Sequence, residues 1–309
     1  MNLSQTNGML FTYYDTVTET VEHLAKCGFT HMDVSFFTRF KPGSIYFTDE
    51  YLKIIDEYKA AFEKFGVTPV QAHEPAGNSM GDDGGDFYFR KTPRSIEMAA
   101  KIGCPSITLH VGNPSQALPR EQFVERQIGV FKKLVPYAEK YGIELLVENI
   151  GYAYPEESYF VTTADDLLTI IDGVGSPLVR ANWDVGHANC NGLDQYSEIT
   201  RLGSKLGGVH LHDNSGFTTV RQYGKKISGD MHTAPLCYSV DYDAIMRGLI
   251  DAGYKGTFNF EVDSPAKVGE FISGRPELIA SAREARLAAD TYLYKIGKLI
   301  LEKYGVFDG

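Results

Sequence analysis

The chain reads VRANWDVGH from Val179 to His187, and this stretch decides the interpretation of the fold. A short β-rich run, Val179–Asp184, ends in a carboxylate, and an imidazole follows at His187. The next β-rich run, Gly207–His212, ends in two imidazoles at alternate positions. Strands that end in such side chains are typical of parallel β/α proteins, where the carboxyl ends of neighbouring strands meet on one face.

Eight runs of this kind can be placed along the chain, and most precede a segment with helical spacing. The predicted strands are Gly8–Thr12, His31–Ser35, Thr68–His73, Pro105–His110, Glu144–Glu148, Val179–Asp184, Gly207–His212 and Thr257–Glu261. Alternating strands and helices predict parallel strands linked by crossover helices. Eight units in 309 residues leave about 39 residues for each, which suits a closed barrel. The sequence therefore predicts an α/β fold, a single (β/α)8 TIM barrel that forms one domain over residues 1–309.

The composition is that of an ordinary folded protein, with 43% hydrophobic and 23% charged residues. The four cysteines are widely separated, which disfavours a disulfide framework or a thiolate metal site. No run approaches the roughly 20 apolar residues of a membrane span, and the first residues do not resemble a signal peptide. We therefore expect a soluble, cytoplasmic protein without a membrane partner. A net charge of −10 makes nucleic acid an unfavourable partner.

Strands three to eight each end in, or are closely followed by, a side chain that can bind a metal. These residues are His73, His110, Glu148, Asp184, His187, His210, His212 and Glu261. Any one of them alone is more often a capping or hydrogen-bonded residue. Crowded at one barrel mouth, they would repel or desolvate one another, so together they predict a bound divalent cation. Imidazole and carboxylate ligands suit several ions, and the sequence leaves Mn²⁺, Zn²⁺, Co²⁺ and Mg²⁺ open.

Four segments carry a resemblance to a known family that spans roughly residues 68–262. They are Val147-Glu148-Asn149, Asp184-Val185-Gly186-His187, Val209-His210-Leu211-His212-Asp213-Asn214 and Phe260-Glu261. In order and spacing they resemble the xylose-isomerase-like TIM-barrel superfamily, which joins sugar and sugar phosphate isomerases and epimerases with endonuclease IV. The resemblance implies a metal centre of Glu148, Asp184, His210 and Glu261. It also implies that Glu148 and Glu261 act as acid and base, with His187 close to the substrate.

The resemblance to endonuclease IV implies additional metal ligands. On that template three ions would be held by His73, His110 and Glu148, by Glu148, Asp184, His210 and Glu261, and by His187, Asp230 and His232. The loop that follows Asp230 and His232 departs from the superfamily. Leu236-Cys237-Tyr238 stands where a Gly-Glu-Gly turn is common. The number of ions therefore stays open between one and three.

The favoured function is a metal-dependent sugar or sugar phosphate isomerase or epimerase. A divalent ion would polarise the carbonyl of a small polyhydroxylated substrate and stabilise an enediolate. Glu148 and Glu261 would exchange protons on the two faces of that enediolate. The expected substrate contacts are His187, His212, Trp183 and Tyr238, with Tyr152 and Tyr154 as further members of an aromatic wall. Aromatic residues beside strand ends are as often part of the core.

Two other functions stay open. A phosphodiesterase like endonuclease IV would use the same ligands to generate hydroxide, but Arg221, Lys225 and Lys226 form the only compact basic cluster for a phosphate backbone. A related barrel could instead carry out lyase or dehydratase chemistry, or bind sugar as one subunit of a larger assembly, because fold and metal do not fix the reaction. A homo-oligomer is compatible with the sequence, which does not set the oligomeric state.

Overall fold

An eight-stranded parallel sheet forms the centre of the protein, as seen in a computed structural model that describes residues 1–83, 85–114, 116, 118–150, 161–216, 220–222, 225–227, 229–263, 272 and 274–309. The strands of this sheet are β1 (Leu3–Thr6), β2 (His31–Ser35), β3 (Thr68–His73), β4 (Ser106–Leu109), β5 (Glu144–Glu148), β6 (Val179–Asp184), β7 (Leu206–His210) and β10 (Phe258–Phe260). A separate antiparallel pair is formed by β8 (Val220–Gln222) and β9 (Lys225–Ile227). The order in the large sheet is β10-β1-β2-β3-β4-β5-β6-β7. A parallel bridge between Leu211 and Phe260 brings β7 next to β10 and nearly closes the sheet. The predicted (β/α)8 TIM barrel is confirmed.

Helices connect the strands and surround the barrel. They are α1 (Val17–Cys27), α2 (Tyr51–Phe65), α3 (Asp86–Ile102), α4 (Arg120–Tyr141), α5 (Ala164–Val174), α6 (Val185–Cys190), α7 (Gln195–Leu202), α8 (Tyr242–Asp251) and α9 (Ile279–Lys303). A capping box of Thr16 and Glu19 begins α1, because each side chain accepts a backbone hydrogen bond from the other residue. Gly66 and Gly142 end α2 and α4 in the left-handed conformation that glycine adopts without steric cost. Among the described residues, none of the helices combines the length and apolar character needed to cross a membrane.

The first strand lies at Leu3–Thr6, so the prediction of a strand over Gly8–Thr12 is wrong. Residues Gly8–Thr12 form a 3-10 helix instead. The true strand, LSQT, lacks an apolar alternation because its central side chains are polar and buried. Ser4 Oγ donates to Asn259 Oδ1, and Gln5 Nε2 donates to the Val262 carbonyl. These hydrogen bonds compensate the burial of polar groups, and they cannot be recognised from the sequence of one strand.

The parallel strands place their carboxyl ends at one rim of the barrel. Four predicted strands, β2, β3, β5 and β6, have the predicted bounds, whereas β4, β7 and β10 end one or two residues earlier than predicted. Side chains that point outward from the strands, such as Val147, Trp183 and Val209, belong to the hydrophobic core that packs the sheet against the helices. The segment between β7 and α8 contains β8 and β9. The rim is therefore where the candidate ligands meet.

Candidate metal centre

Four acidic and imidazole side chains meet at the carboxyl rim, and we call them the primary cluster. Glu148 ends β5, Asp184 ends β6, His210 ends β7 and Glu261 follows β10. Nδ1 of His210 lies 2.5 Å from Glu148 Oε1, 3.1 Å from Glu261 Oε2 and 4.0 Å from Asp184 Oδ2. Each residue offers a ligand atom within 4.8 Å of those of the other three. Three carboxylates and one imidazole are a donor set that suits a divalent transition metal.

His73 and His110 adjoin the primary cluster. His73 ends β3, and its ligand atom lies within 4.8 Å of those of Glu148 and His210. His110 follows β4 and places Nε2 at 2.8 Å from Glu148 Oε2. The two rings meet edge to face with their centroids 4.8 Å apart. Glu148 therefore links the other residues of the primary cluster to His73 and His110.

A secondary cluster consists of His187, His212, Asp230 and His232. Asp230 Oδ2 lies 3.4 Å from His187 Nε2 and 3.3 Å from His232 Nε2. Asp184 Oδ1 is 3.1 Å from His212 Nε2 and joins the two clusters. Burial lowers the pKa of His187, but Asp184 and Asp230 outweigh that effect and raise the pKa to about 10. The structure thus places His212, a predicted substrate contact, among the residues predicted to be additional ligands.

Backbone carbonyls fix the tautomers of three of the histidines. The Nδ1 atoms of His73, His187 and His232 lie 2.9, 2.8 and 3.0 Å from the carbonyl oxygens of Glu74, Asn149 and Glu261, respectively. A carbonyl oxygen can only accept, so each Nδ1 donates a proton. In the neutral ring the lone pair then lies on Nε2, which faces the clusters. Such outer hydrogen bonds orient imidazoles for metal binding.

Burial and neighbouring charge together set the ionisation of the primary cluster. Burial would raise the pKa of Glu148, but His210 and His110 hold it well below its usual range. At Glu261, too, burial would raise the pKa, but His210 and His232 lower it. Burial would lower the pKa of His210, whereas Glu148 and Glu261 raise it well above its usual range. The two glutamates are therefore ionised, and they need nearby positive charge from imidazolium groups or from a cation.

Two buried atoms of the primary cluster make no hydrogen bond despite their short contacts. They are Glu148 Oε2 and His210 Nδ1. Each lies within 2.8 Å of a polar atom, but the directions do not suit hydrogen bonds. Buried polar atoms almost always have partners, and a cation bound by both atoms would satisfy them. The residues present therefore fit a divalent metal ion.

His232 adopts a left-handed backbone conformation with φ of 45°. This conformation is uncommon outside glycine. The next residue, Thr233, exchanges two backbone hydrogen bonds of 2.8 and 2.9 Å with Asp213, and the Asp263 amide donates to the His232 carbonyl at 3.0 Å. These bonds hold the strained residue in place, and the strain directs its imidazole into the secondary cluster.

The structure places the predicted aromatic substrate contacts in different parts of the molecule. Trp183 does not reach the barrel mouth, because it lies on the outward face of β6 between the inward residues Asn182 and Asp184. Its side chain is fully buried in the core, and Nε1 donates to Gln195 Oε1 at 3.0 Å. Tyr238 is 54% exposed and lines a groove of about 570 Å³ between the β7–α8 segment and α9. Tyr152 and Tyr154 lie outside the described residues, as do the side chains of Arg221, Lys225 and Lys226.

Sequence analysis missed Phe37, which lies at the barrel mouth. Phe37 follows β2, is 44% exposed and meets the rings of His73 and His110 edge to face at centroid distances of 5.4 and 6.2 Å. It therefore forms an apolar wall beside the candidate ligands. A signal is present, because alternation in β2 places Asp33, Ser35 and Phe37 on one face.

Glu74 is a second residue that sequence analysis missed. It is fully buried, and its Oε1 accepts the backbone amide of His110 at 2.7 Å. Burial raises the pKa of Glu74 to about 7, although His110 opposes this effect. Because Glu74 lies beyond the end of β3, strand periodicity gives no sign of this role.

Comparison with known proteins identifies the family. The sequence profile of the xylose isomerase-like TIM barrel family matches residues 21–287. The chain is 25% identical to fructoselysine 3-epimerase of Shigella flexneri over 202 residues, which cover 64% of this chain and 67% of that protein. Its fold is similar to an IOLI protein crystallised with a zinc atom (TM-score 0.70, 17% identity, 98% and 99% of the two chains) and to D-psicose 3-epimerase of Clostridium cellulolyticum H10 with D-tagatose (TM-score 0.63, 18% identity, 95% and 99%). The chain belongs to the xylose isomerase-like TIM barrel family and is a sugar epimerase-like barrel.

Proposed function

We propose that this chain is a divalent-metal-dependent sugar epimerase or isomerase in which Glu148 and Glu261 transfer protons. The observation that carries the proposal is the position of these two carboxylates, which both face Nδ1 of His210, at 2.5 and 3.1 Å. A small sugar or sugar derivative with a carbonyl group is the proposed substrate. The similarity to a fructoselysine 3-epimerase and to ketose 3-epimerases supports this substrate class.

The primary cluster would hold the cation through Glu148, Asp184, His210 and Glu261. When bound there, the cation supplies Lewis acidity toward the substrate carbonyl oxygen. One glutamate takes the proton from the carbon beside the carbonyl, and the other returns a proton to the opposite face, which inverts that carbon. Acid–base catalysis of this kind contributes typically about 10²- to 10⁴-fold. Phe37 lies beside His73 and His110 and would offer the substrate an apolar face.

A deuterium-exchange assay tests this proposal. The protein is stripped with a chelator, reloaded separately with Mn²⁺, Zn²⁺, Co²⁺ or Mg²⁺, and incubated in D2O with fructoselysine, D-fructose or D-tagatose. We expect a change of configuration and deuterium at the inverted carbon, both dependent on the added metal. The E261Q variant should lose turnover by at least about 10²-fold while retaining metal. Unchanged turnover in E261Q would remove Glu261 from the mechanism.

The secondary cluster favours one other candidate function, a metal-dependent phosphodiesterase. Its residues, with His73 and His110, complete the ligand set that the resemblance to endonuclease IV implies. Several metals in one site can generate hydroxide and stabilise a leaving oxygen. Incision of a duplex with an abasic site, together with about three zinc ions per chain, would support this function. About one ion per chain and no incision would support the epimerase.

A further inference from the structure

His210 differs from three other histidines of the rim in the way that its ring is oriented. His73, His187 and His232 turn Nδ1 toward backbone carbonyls, whereas His210 turns Nδ1 toward Glu148 and Glu261. Its Nε2 faces the barrel interior. There it lies 2.8 Å from the amide nitrogen of Gln71 and 3.6 Å from Asp33 Oδ2.

A cation at Nδ1 would constrain the interior side of the ring. Nδ1 then uses its lone pair, so Nε2 carries the proton and needs an acceptor. An N–H cannot pair with the Nε2 amide of Gln71, which itself donates to Thr108 Oγ1 at 2.9 Å. The nearest acceptors are the Asp33 carboxylate, whose Oδ2 at 3.6 Å must move closer to form a hydrogen bond, and, if the amide turns, Gln71 Oε1. Thr108 tolerates either amide orientation, because a hydroxyl both donates and accepts.

Asp33 lies in the barrel interior, and the oxygen that faces His210, Oδ2, is also the one that Asn259 holds. It is fully buried on β2, and its Oδ2 accepts from Asn259 Nδ2 at 3.0 Å. Ser4 Oγ donates to Asn259 Oδ1 at 2.7 Å and so fixes which end of that amide faces Asp33. The other carboxylate oxygen, Oδ1, makes no hydrogen bond. A buried carboxylate with a single amide donor is poorly compensated, and the ring of His210 is the cationic or N–H partner beside it.

We propose that Asp33 is a positioning residue for the metal centre. It accepts the Nε2 proton of His210, holds Nδ1 toward the cation and makes the imidazole a stronger ligand. Carboxylates that act through a ligating histidine in this way typically change metal affinity or activity by about 10- to 100-fold. The inference rests on the proposed function, because it requires a cation at His210.

Metal affinity, measured by chelator competition with Zn²⁺ and Mn²⁺, tests this role without an activity assay. The D33N variant keeps an acceptor for Asn259 but presents a donor or a neutral oxygen to His210. We expect its metal affinity to fall by about 10- to 100-fold. The matched control is D166N, which changes a buried aspartate that caps α5 and should leave metal affinity unchanged. The double variant D33N/Q71E should restore affinity, because it returns a carboxylate to the other neighbour of Nε2.

The outcomes separate this inference from the proposed function. Wild-type protein that binds metal, with D33N binding equally tightly, would overturn the role of Asp33 and leave the proposed function standing. Wild-type protein that takes up no divalent metal would overturn both. If D33N does not fold, ¹⁵N and ¹H chemical shifts of His210 in the wild-type zinc form decide the question. An unprotonated Nδ1 and an Nε2 proton at the low field of a hydrogen bond to a carboxylate support the inference. The opposite tautomer, or an Nε2 proton at the field of a bond to a neutral amide, overturns it.

Discussion

His212 and His232 stack face to face, with ring centroids 3.8 Å apart and planes inclined by 9°. The opposite side of His212 packs on Gly186, where an added Cβ would lie 1.9 Å from the imidazole Cε1. The ring is therefore confined between a backbone and a second ring. Glycine at position 186 is required by this close approach and not by an unusual backbone angle.

We expect G186A to damage the secondary cluster. The added methyl group must displace His212, and overpacking of this kind typically costs about 1–3 kcal/mol. Urea denaturation measures the loss of stability, and metal analysis measures the loss of any ion held by the secondary cluster. G129A is the control, because a Cβ at this position in α4 meets no atom within 4 Å. G129A should raise stability by about 0.5–1 kcal/mol, and a neutral G186A would contradict the packing argument.

Asp290 predicts an acid-sensitive contribution to stability. Burial would raise its pKa, but Arg286 and His23 outweigh that effect and lower it. Arg286 Nε donates to Asp290 Oδ2 at 2.7 Å, and its terminal nitrogens donate to the carbonyls of Asp263 and Val262. A lowered folded-state pKa stabilises the protein above the unfolded-state pKa, and this stabilisation is lost as the pH falls through the folded-state pKa.

The D290N variant should therefore be less stable at neutral pH, and its free energy of unfolding should fall less steeply than that of the wild type as the pH is lowered. Breaking a buried ion pair typically costs about 3–5 kcal/mol. The wild-type advantage should shrink as the pH falls below about 4, where an aspartate in the unfolded chain becomes protonated. Chemical denaturation at a series of pH values measures both effects. An advantage that stays constant from neutral pH down to the acid limb would refute the assignment.

Leu236 combines exposure with backbone strain. It is 58% exposed and has φ of 67°, at a position where the superfamily resemblance implies glycine. A left-handed residue with a side chain costs roughly 1–2 kcal/mol, part of which the entropy of glycine offsets. L236G should therefore raise the free energy of unfolding by up to about 1 kcal/mol. L299G, at a leucine in α9 that is 57% exposed, should lower it by about 1 kcal/mol; equal effects would contradict the strain.

Phe37 should affect substrate affinity more than turnover. Its half-exposed ring beside His73 and His110 offers an apolar face to the substrate, worth on the order of 1 kcal/mol. F37A should raise KM several-fold with a smaller change in kcat, measured on a sugar that the deuterium-exchange assay identifies as a substrate. L52A, a similarly exposed residue on α2, should leave both constants unchanged. If F37A changed kcat alone, the ring would act by excluding water and not by binding the substrate.

The barrel and the convergence of the candidate ligands could be predicted from the sequence because strand ends carry a local signal. His73, Glu148 and Asp184 each follow apolar residues that recur at one-unit spacing. His210 and His212 are two residues apart, so strand alternation correctly predicts both on the inner side. However, β7 ends at His210 and does not include His212. His212 stacks on His232 and meets the primary cluster at Asp184, a position that no strand pattern predicts.

Contacts between distant segments explain what the sequence could not reveal. The polar residues of β1 are compensated by Asn259 and by the backbone at Val262, so their burial depends on a strand near the other end of the chain. Trp183 is adjacent to a ligand in sequence, yet the strand pleat turns it toward Gln195 in the outer layer. Residues that are adjacent in a strand point to opposite faces of the sheet, so they lie in different surroundings.

The bridge between Leu211 and Phe260 joins β7 to β10, the last two strands of the large sheet in chain order. The Glu261 amide donates to the Leu211 carbonyl at 3.1 Å, so the contact that completes the barrel also sets Glu261 beside His210. During synthesis, a ribosome would have to release the whole of β10 before the four-residue site existed. A chain that terminated early could retain most of its helices and still have no means of assembling that site.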